Sequence, residues 1–172
     1  MPNDTFAILD ELRAKAVLKS DESSNDPTNC TLEFLYDRLL YEPGITEGVV
    51  AKFDIKNIEK VLNDTPIIPD WSKDEYAEVT KKIRIDESFK DCTQCSDNKT
   101  DLHKINYWFY NLKNATSSEG FEHLNFTITE CTHLFDGCIN LKTVDFGKFE
   151  FVKLIDVSFV FISDKKYIVE FI

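Results

Sequence analysis

Glycine is scarce in this chain, with five residues among 172. So few leave little for phosphate-cradling loops, and neither Gly-x-Ser-x-Gly nor His-Glu-x-x-His occurs. Long apolar runs are also missing. None approaches the roughly 18 residues that cross a bilayer as a helix, so no membrane span is expected. The opening Met1-Pro2-Asn3-Asp4-Thr5 has neither a cationic start nor an apolar core, and does not read as a secretory signal. On that ground either the protein is cytoplasmic or its leader is missing from this sequence. Basic residues are in deficit: twenty against thirty-one acids, a formal charge of -11. Such a surface repels nucleic-acid phosphates and anionic membranes unless a basic stripe intervenes. The densest basic stretches, Lys81-Lys82-Ile83-Arg84 and Lys165-Lys166, are short and lie near acids. Neither is interleaved with stacking aromatics, so no nucleic-acid partner is expected. Five cysteines cannot all pair within one chain and are too few for a disulfide scaffold.

What is present is a core. Hydrophobic residues make up 42% of the chain and aromatics 13%. A chain of this length buries about 70% of its unfolded surface and folds as one domain, or as two small units sharing a core. Six Asn-x-Thr triplets begin at Asn3, Asn29, Asn63, Asn98, Asn114 and Asn125. They are glycan acceptors only in a eukaryotic secretory pathway and otherwise reflect composition.

Thr5 to Leu18 fits a helix by the spacing of Phe6, Leu9 and Leu12, although Ala14 to Leu18 fits a strand equally well. The polar cluster Ser20 to Pro27 reads as a connector. Leu32, Phe34 and Tyr36 alternate with Thr31, Glu33 and Asp37, which predicts a strand with one wet face. Together these predict a hairpin, extended by a third strand within Gly48 to Ile55. Trp71, in a proline-bounded loop, is expected to fold back onto the core. Ile83 and Ile85 alternate with Lys82, Arg84 and Asp86 and predict another strand.

The second half is periodic. Phe109, Phe135 and Phe161 are spaced by 26 residues. At the same offset Tyr107, His133 and Phe159 share a column, Ile128 matches Leu154, Thr132 matches Ser158, and Asn114 matches Asn140. A fixed period of this size is the signature of a solenoid. The three phenylalanines are then expected at equivalent buried positions along one axis.

The chemical motifs are thin. Cys92-x-x-Cys95 has zinc half-site spacing but needs two further ligands. Cys131 and Cys138 do not supply a second pair of that spacing, and His103, His123 and His133 have no ligand pairing among themselves. The motif also lacks the βαβ setting of a redox dithiol, so it reads as a thiol pair in a surface loop. Cys131, His133 and Cys138 suggest a nucleophile and base, but the aromatic column of His133 favours a packed ring. Asp86 and Glu87 are adjacent, so on a strand they face opposite sides and do not cooperate. No enzyme activity, cofactor or metal is expected, and no catalytic, cofactor-binding or metal-ligating residue is assigned.

The block Cys131-Thr132-His133-Leu134-Phe135-Asp136-Gly137-Cys138-Ile139-Asn140-Leu141-Lys142-Thr143-Val144-Asp145-Phe146-Gly147-Lys148-Phe149 resembles one unit of the BspA-like leucine-rich repeats. Upstream, Val79 to Phe89, Tyr107 to Leu112 and Phe121 to Asn125 look like the entry into the first repeat of such proteins. Thr31 to Asp37 and Pro69-Asp70-Trp71 are similar to the β-rich segment that precedes it, so the resemblance covers about residues 14 to 161. Some positions depart from the pattern. Ala115 and Ser118 occupy the columns of Leu141 and Val144, which predicts a poor core in the first repeat. Cys92 to Lys99 is longer and more polar than the usual link, and Gly-Cys and Asn-Leu do not return after Phe161.

The resemblance implies a β-rich α/β fold. An amino-terminal β-rich segment, 1–88, packs against a short leucine-rich-repeat-like solenoid, 89–172, with a period of about 26. It also implies a non-catalytic protein-interaction module at the cell surface or secreted, attaching to host or neighbouring-cell proteins of unknown identity. The alternative is a shortened intracellular repeat protein with no dedicated ligand. The closing Tyr167 to Ile172 reads as an edge strand that caps the solenoid within the chain, with Ile168 and Phe171 or Ile172 covering Val152 to Phe161, or makes a homodimer.

Overall fold

A computed structural model describes residues 14–21, 26–36, 48–55, 68–92, 95–96, 101–147 and 170–171. In chain order the strands are β1 (Ala14–Ser20), β2 (Cys30–Tyr36), β3 (Val49–Asp54), β4 (Thr80–Ile85), β5 (Ser117–Glu119), β6 (Thr143–Val144) and β7 (Glu170–Phe171). A single helical turn, α1 (Asp74–Ala77), precedes β4. Short 3-10 turns cover Asp70–Ser72, Glu87–Asp91 and Phe121–His123. The result is a mixed, β-rich α/β fold. One sheet runs in the order β3-β1-β2-β4-β5-β6-β7. Among the described residues no helix is long and apolar enough to cross a membrane.

The amino-terminal strands follow the hydrophobic pattern. β1 and β2 pair antiparallel from Ala14↔Tyr36 to Ser20↔Cys30, as the hairpin reading expects. Of the two readings for Ala14 to Leu18, the strand is the one realised. Residues 5–13 lie outside the described residues. Where the connector enters β2, the Thr28 amide and hydroxyl both donate to the Asp26 carboxylate, at 2.8 and 2.6 Å. Those two hydrogen bonds hold the Asp26 carboxyl below its ordinary range. β3 adds to the free side of β1. β2 then pairs parallel with β4, and β4, β5, β6 and β7 follow in parallel.

The wet face expected on β2 is not wet. Glu33 and Leu35 are both buried, and so is Val17 opposite Glu33 on β1. On the Glu33 face the cover comes from long side chains of the flanking strands, Lys19 on β1 and Arg84 on β4. Glu33 is buried as one member of a charge cluster: it ion-pairs with Lys19, and Arg84 Nε lies 3.3 Å from its other oxygen. A carboxylate inside a sheet is tolerable only when paired in this way.

The core centres on Phe34. Its ring stacks on Trp108 at 4.9 Å and meets Trp71 and Phe109 edge-on, at 5.4 and 5.3 Å. Trp71 does fold back onto the core, where its indole N–H donates to the Trp108 carbonyl at 2.7 Å. The donor therefore keeps a partner while the ring is buried, as a buried indole requires. β4 shows the expected alternation, with Ile83 and Ile85 inward and Lys82 and Arg84 outward. The sheet and the buried cluster run continuously across residue 88.

Beyond residue 104 the backbone is tied to itself at a nearly constant interval. Ile105, Tyr107, Phe109 and Asn111 each donate an amide to the carbonyl 25 residues on, those of Glu130, Thr132, Leu134 and Asp136. Thr132 returns an amide to the Asn106 side chain at 2.7 Å, across 26 residues. The conformations recur as well. Tyr107 and His133 both have positive φ, 60° and 53°, and so do Asn111 and Gly137, 58° and 78°. Left-handed backbone costs a non-glycine residue roughly 1–2 kcal/mol, so the same exception at the same offset is a shared turn. Gly137 has a second reason: a Cβ there would lie 3.0 Å from the Cα of Asn111.

Phe109 and Phe135 are buried with ring centroids 5.1 Å apart, while Phe161 and Phe159 lie outside the described residues. Ala115 and Ser118 are buried in the columns of Leu141 and Val144, and Ser118 pairs with Val144 in register. Phe121 lies among Phe109, Phe135 and Phe146, at 5.8, 6.1 and 4.8 Å. The Ser118 hydroxyl is buried without a hydrogen-bond partner, which is the residual cost of serine at this position. At the carboxyl end Thr143 pairs with Glu170 and Val144 with Phe171. The rest of the expected cap, and the Val152 to Phe161 layer it is expected to cover, lie outside the described residues.

Candidate functional site

Three constellations concentrate the polar chemistry. The first is the cysteine pair. Asp86 caps the turn at Glu87–Asp91, accepting the Ser88 amide at 2.9 Å. This corrects the reading of Asp86 and Glu87 as strand neighbours on opposite faces. β4 ends at Ile85, and Asp86 is a buried cap while Glu87 is exposed. The turn delivers Cys92, whose amide donates to Phe89 at 3.1 Å. Leu102 donates to the Cys95 carbonyl at 2.7 Å, and Ser96 bridges to Asp101. These bonds bring the Cys92 and Cys95 sulfurs to 3.0 Å, with both residues half-buried.

The other cysteines differ. Cys30, Cys131 and Cys138 are buried. The Cys138 thiol donates to the Phe109 carbonyl at 2.8 Å, and burial pushes it up to about 12. Burial also raises the Cys30 thiol.

The second constellation is the histidines, which the fold separates. The His103 ring bonds to the Thr127 carbonyl, and the His123 ring to that of Ile85 at 2.8 Å. Each therefore ties distant stretches of chain together. His133 stacks on Tyr107 at 4.7 Å with the rings 6° from parallel, and its Nδ1 is 3.0 Å from an Asp136 oxygen. The packed-ring reading of His133 describes this geometry. Burial, and then the Asp136 carboxylate, raise the Tyr107 hydroxyl above its ordinary range. Among the described residues no group of three His, Cys, Asp or Glu side chains could hold a metal ion.

The third is the outward face of the parallel strands. Register aligns Glu33, Arg84 and Glu119 in one row, with Asp145 one position past Val144 on β6. Lys82, Ser117 and Thr143 form a second row. Arg84 also approaches Asp86 at 3.6 Å. Glu119 is exposed and makes no ion pair with a described residue. Ion pairs of the half-exposed Arg84 contribute about 0–1 kcal/mol, so the face adds little to stability. Its chemistry is hydrogen bonding and charge.

No family model matches the chain, and no curated protein or solved structure matches it. Sequence reasoning missed the clamp at Asn106, which donates to Glu130 at 3.0 Å while accepting the Thr132 amide. It also missed the turn shared by Asn111 and Gly137. Asparagine and glycine are the residues that tolerate positive φ, so their match at the 26-residue offset was a usable signal.

Proposed function

We propose that this chain is a non-catalytic protein-interaction module of the BspA-like leucine-rich-repeat kind. Its coils from about residue 89 stack as a short solenoid on the amino-terminal β-rich segment. It acts at the cell surface or as a secreted protein, attaching to proteins of a host or neighbouring cell. The observation that carries the reading is the return of the same backbone conformation at the same interval, in Tyr107 with His133 and Asn111 with Gly137. Hydrogen bonds between those stretches, and the parallel step from Ser117 to Thr143, support it. Solenoids contact partners through an extended surface. Here that surface is the outward face carrying Arg84, Glu119 and Asp145 beside Lys82, Ser117 and Thr143.

The test is binding of the purified chain to immobilised extracellular-matrix and cell-surface proteins. Saturable binding that weakens on Arg84→Glu and Glu119→Lys supports the reading. An unaltered, fully folded chain that retains nothing from either panel overturns it in favour of a repeat protein without a dedicated ligand.

A further inference from the structure

We propose that Cys92 and Cys95 form a reversible dithiol–disulfide site that clips the loop joining the turn at Glu87–Asp91 to the first coil. The argument rests on geometry and selectivity. The sulfurs stand 3.0 Å apart, so bond formation needs an approach of about 1 Å to the usual 2.05 Å. The backbone already holds both ends of the loop, through the Cys92 amide on Phe89 and the Leu102 amide on Cys95. Both residues are partly exposed, so a small reagent reaches them. The remaining cysteines are enclosed, and the Cys138 thiol is occupied on a carbonyl.

The chemistry is thiol–disulfide exchange with a low-molecular-weight disulfide, R–S–S–R. One cysteine thiolate attacks a sulfur of the reagent, forming a mixed disulfide and releasing one R–S⁻. The second cysteine thiolate attacks the protein sulfur of that mixed disulfide and releases the other R–S⁻. The two protons lost by the cysteines end on the two R–SH products. The cysteine sulfurs are oxidised by two electrons in total, and the reagent is reduced by the same two. A dithiol reductant reverses each step. The proposal does not depend on a surface location or a protein ligand.

The experiment treats the full-length chain with glutathione disulfide, quenches with acid and measures intact mass. Loss of two hydrogen atoms per chain is expected, mapped by proteolysis to the single peptide that contains both Cys92 and Cys95, and reversed by dithiothreitol. In Cys92→Ser and Cys95→Ser the resolving thiol is absent. Each is then expected to hold one glutathione as a stable mixed disulfide. Native alkylation of the wild-type chain gives a reading that needs no variant. N-ethylmaleimide should label two of the five cysteines in the reduced chain and neither of those two after oxidation. A wild-type chain that stays reduced, keeps glutathione, or links a different pair or two chains overturns the proposal.

Discussion

Phe34→Ala removes the ring on which the hairpin, the Trp71 loop and the Trp108–Phe109 stretch all converge. Phe34 is fully buried, and its ring touches Trp71, Trp108 and Phe109. A buried Phe→Ala change costs about 3–5 kcal/mol through lost transfer energy and the cavity left behind. Each aromatic pair adds roughly 0.5–1.5 kcal/mol beyond area, but the three pairs share one ring and do not sum in full. We therefore expect a loss near the top of that range, about 4–5 kcal/mol, from a total stability of about 5–15 kcal/mol. Phe34→Leu keeps most of the volume and should cost only about 1–2 kcal/mol. Urea unfolding measures both. With a slope of about 1–3 kcal/mol/M, the alanine midpoint should fall by roughly 2 M. The chain's two tryptophans are both partners of this ring, so fluorescence reports the joint itself. Fluorescence and far-ultraviolet circular dichroism should give one coincident transition in the wild type. An alanine cost below about 1.5 kcal/mol, or two separated transitions, would refute Phe34 as the joint of a single cooperative core.

Four further outcomes are expected. Phe135→Ala, between the rings of Phe109, Phe121 and Phe146, should cost about 3–5 kcal/mol by the same assay; under 1 kcal/mol contradicts its placement. Gly120→Ala should cost about 3 kcal/mol or more, because φ is +89° and the new Cβ would lie 2.1 Å from the Ile85 carbonyl oxygen. The Cys138 thiol rises from 9.0 to about 12 on folding, so the native state favours the neutral form. Its contribution is intact below pH 9 and is lost as pH rises towards 12, by about 1 kcal/mol per pH unit. Cys138→Ala should flatten that alkaline slope in a Tm-against-pH series. Deleting residues 167–172 removes the strand paired with Thr143–Val144 and should lower the melting temperature. Sizing chromatography with light scattering on both forms should find a monomer before deletion, and an unchanged Tm defeats the capping role.

Sequence legibility tracked how local the determining physics is. Alternation located β2 and β4, because a sheet face imposes period two on any strand it buries, whereas Ala14 to Leu18 fitted a helix and a strand alike. Alternation misjudged the environment of Glu33, because covering the second face depends on elements distant in sequence. The 26-residue columns of Phe109 with Phe135 and Tyr107 with His133 anticipated rings that do meet. Nothing local marked the position of Phe121, which is set by three rings from different stretches. Asp86 was misplaced by one element boundary: a strand reading runs past Ile85, whereas the Ser88 amide it caps starts a turn. The Cys92-x-x-Cys95 spacing was plain, but the sulfur separation depends on hydrogen bonds to Phe89 and Leu102.

The step between neighbouring strands also bears on which changes of length the chain tolerates. Ser117 faces Thr143, Tyr107 stacks on His133, and the turn at Asn111 returns at Gly137, all at one interval of 26 residues. A tandem copy of residues 112–137 would enter the chain in phase. Each new amide would find a carbonyl, each inward ring would find its column, and the segments on either side would keep their neighbours. An insertion of half that length at the same point would turn inward residues outward and strand both sets of backbone groups. On the solenoid proposed above, lengthening is quantised: whole coils are absorbed, and fractions of a coil unfold the strands beyond them.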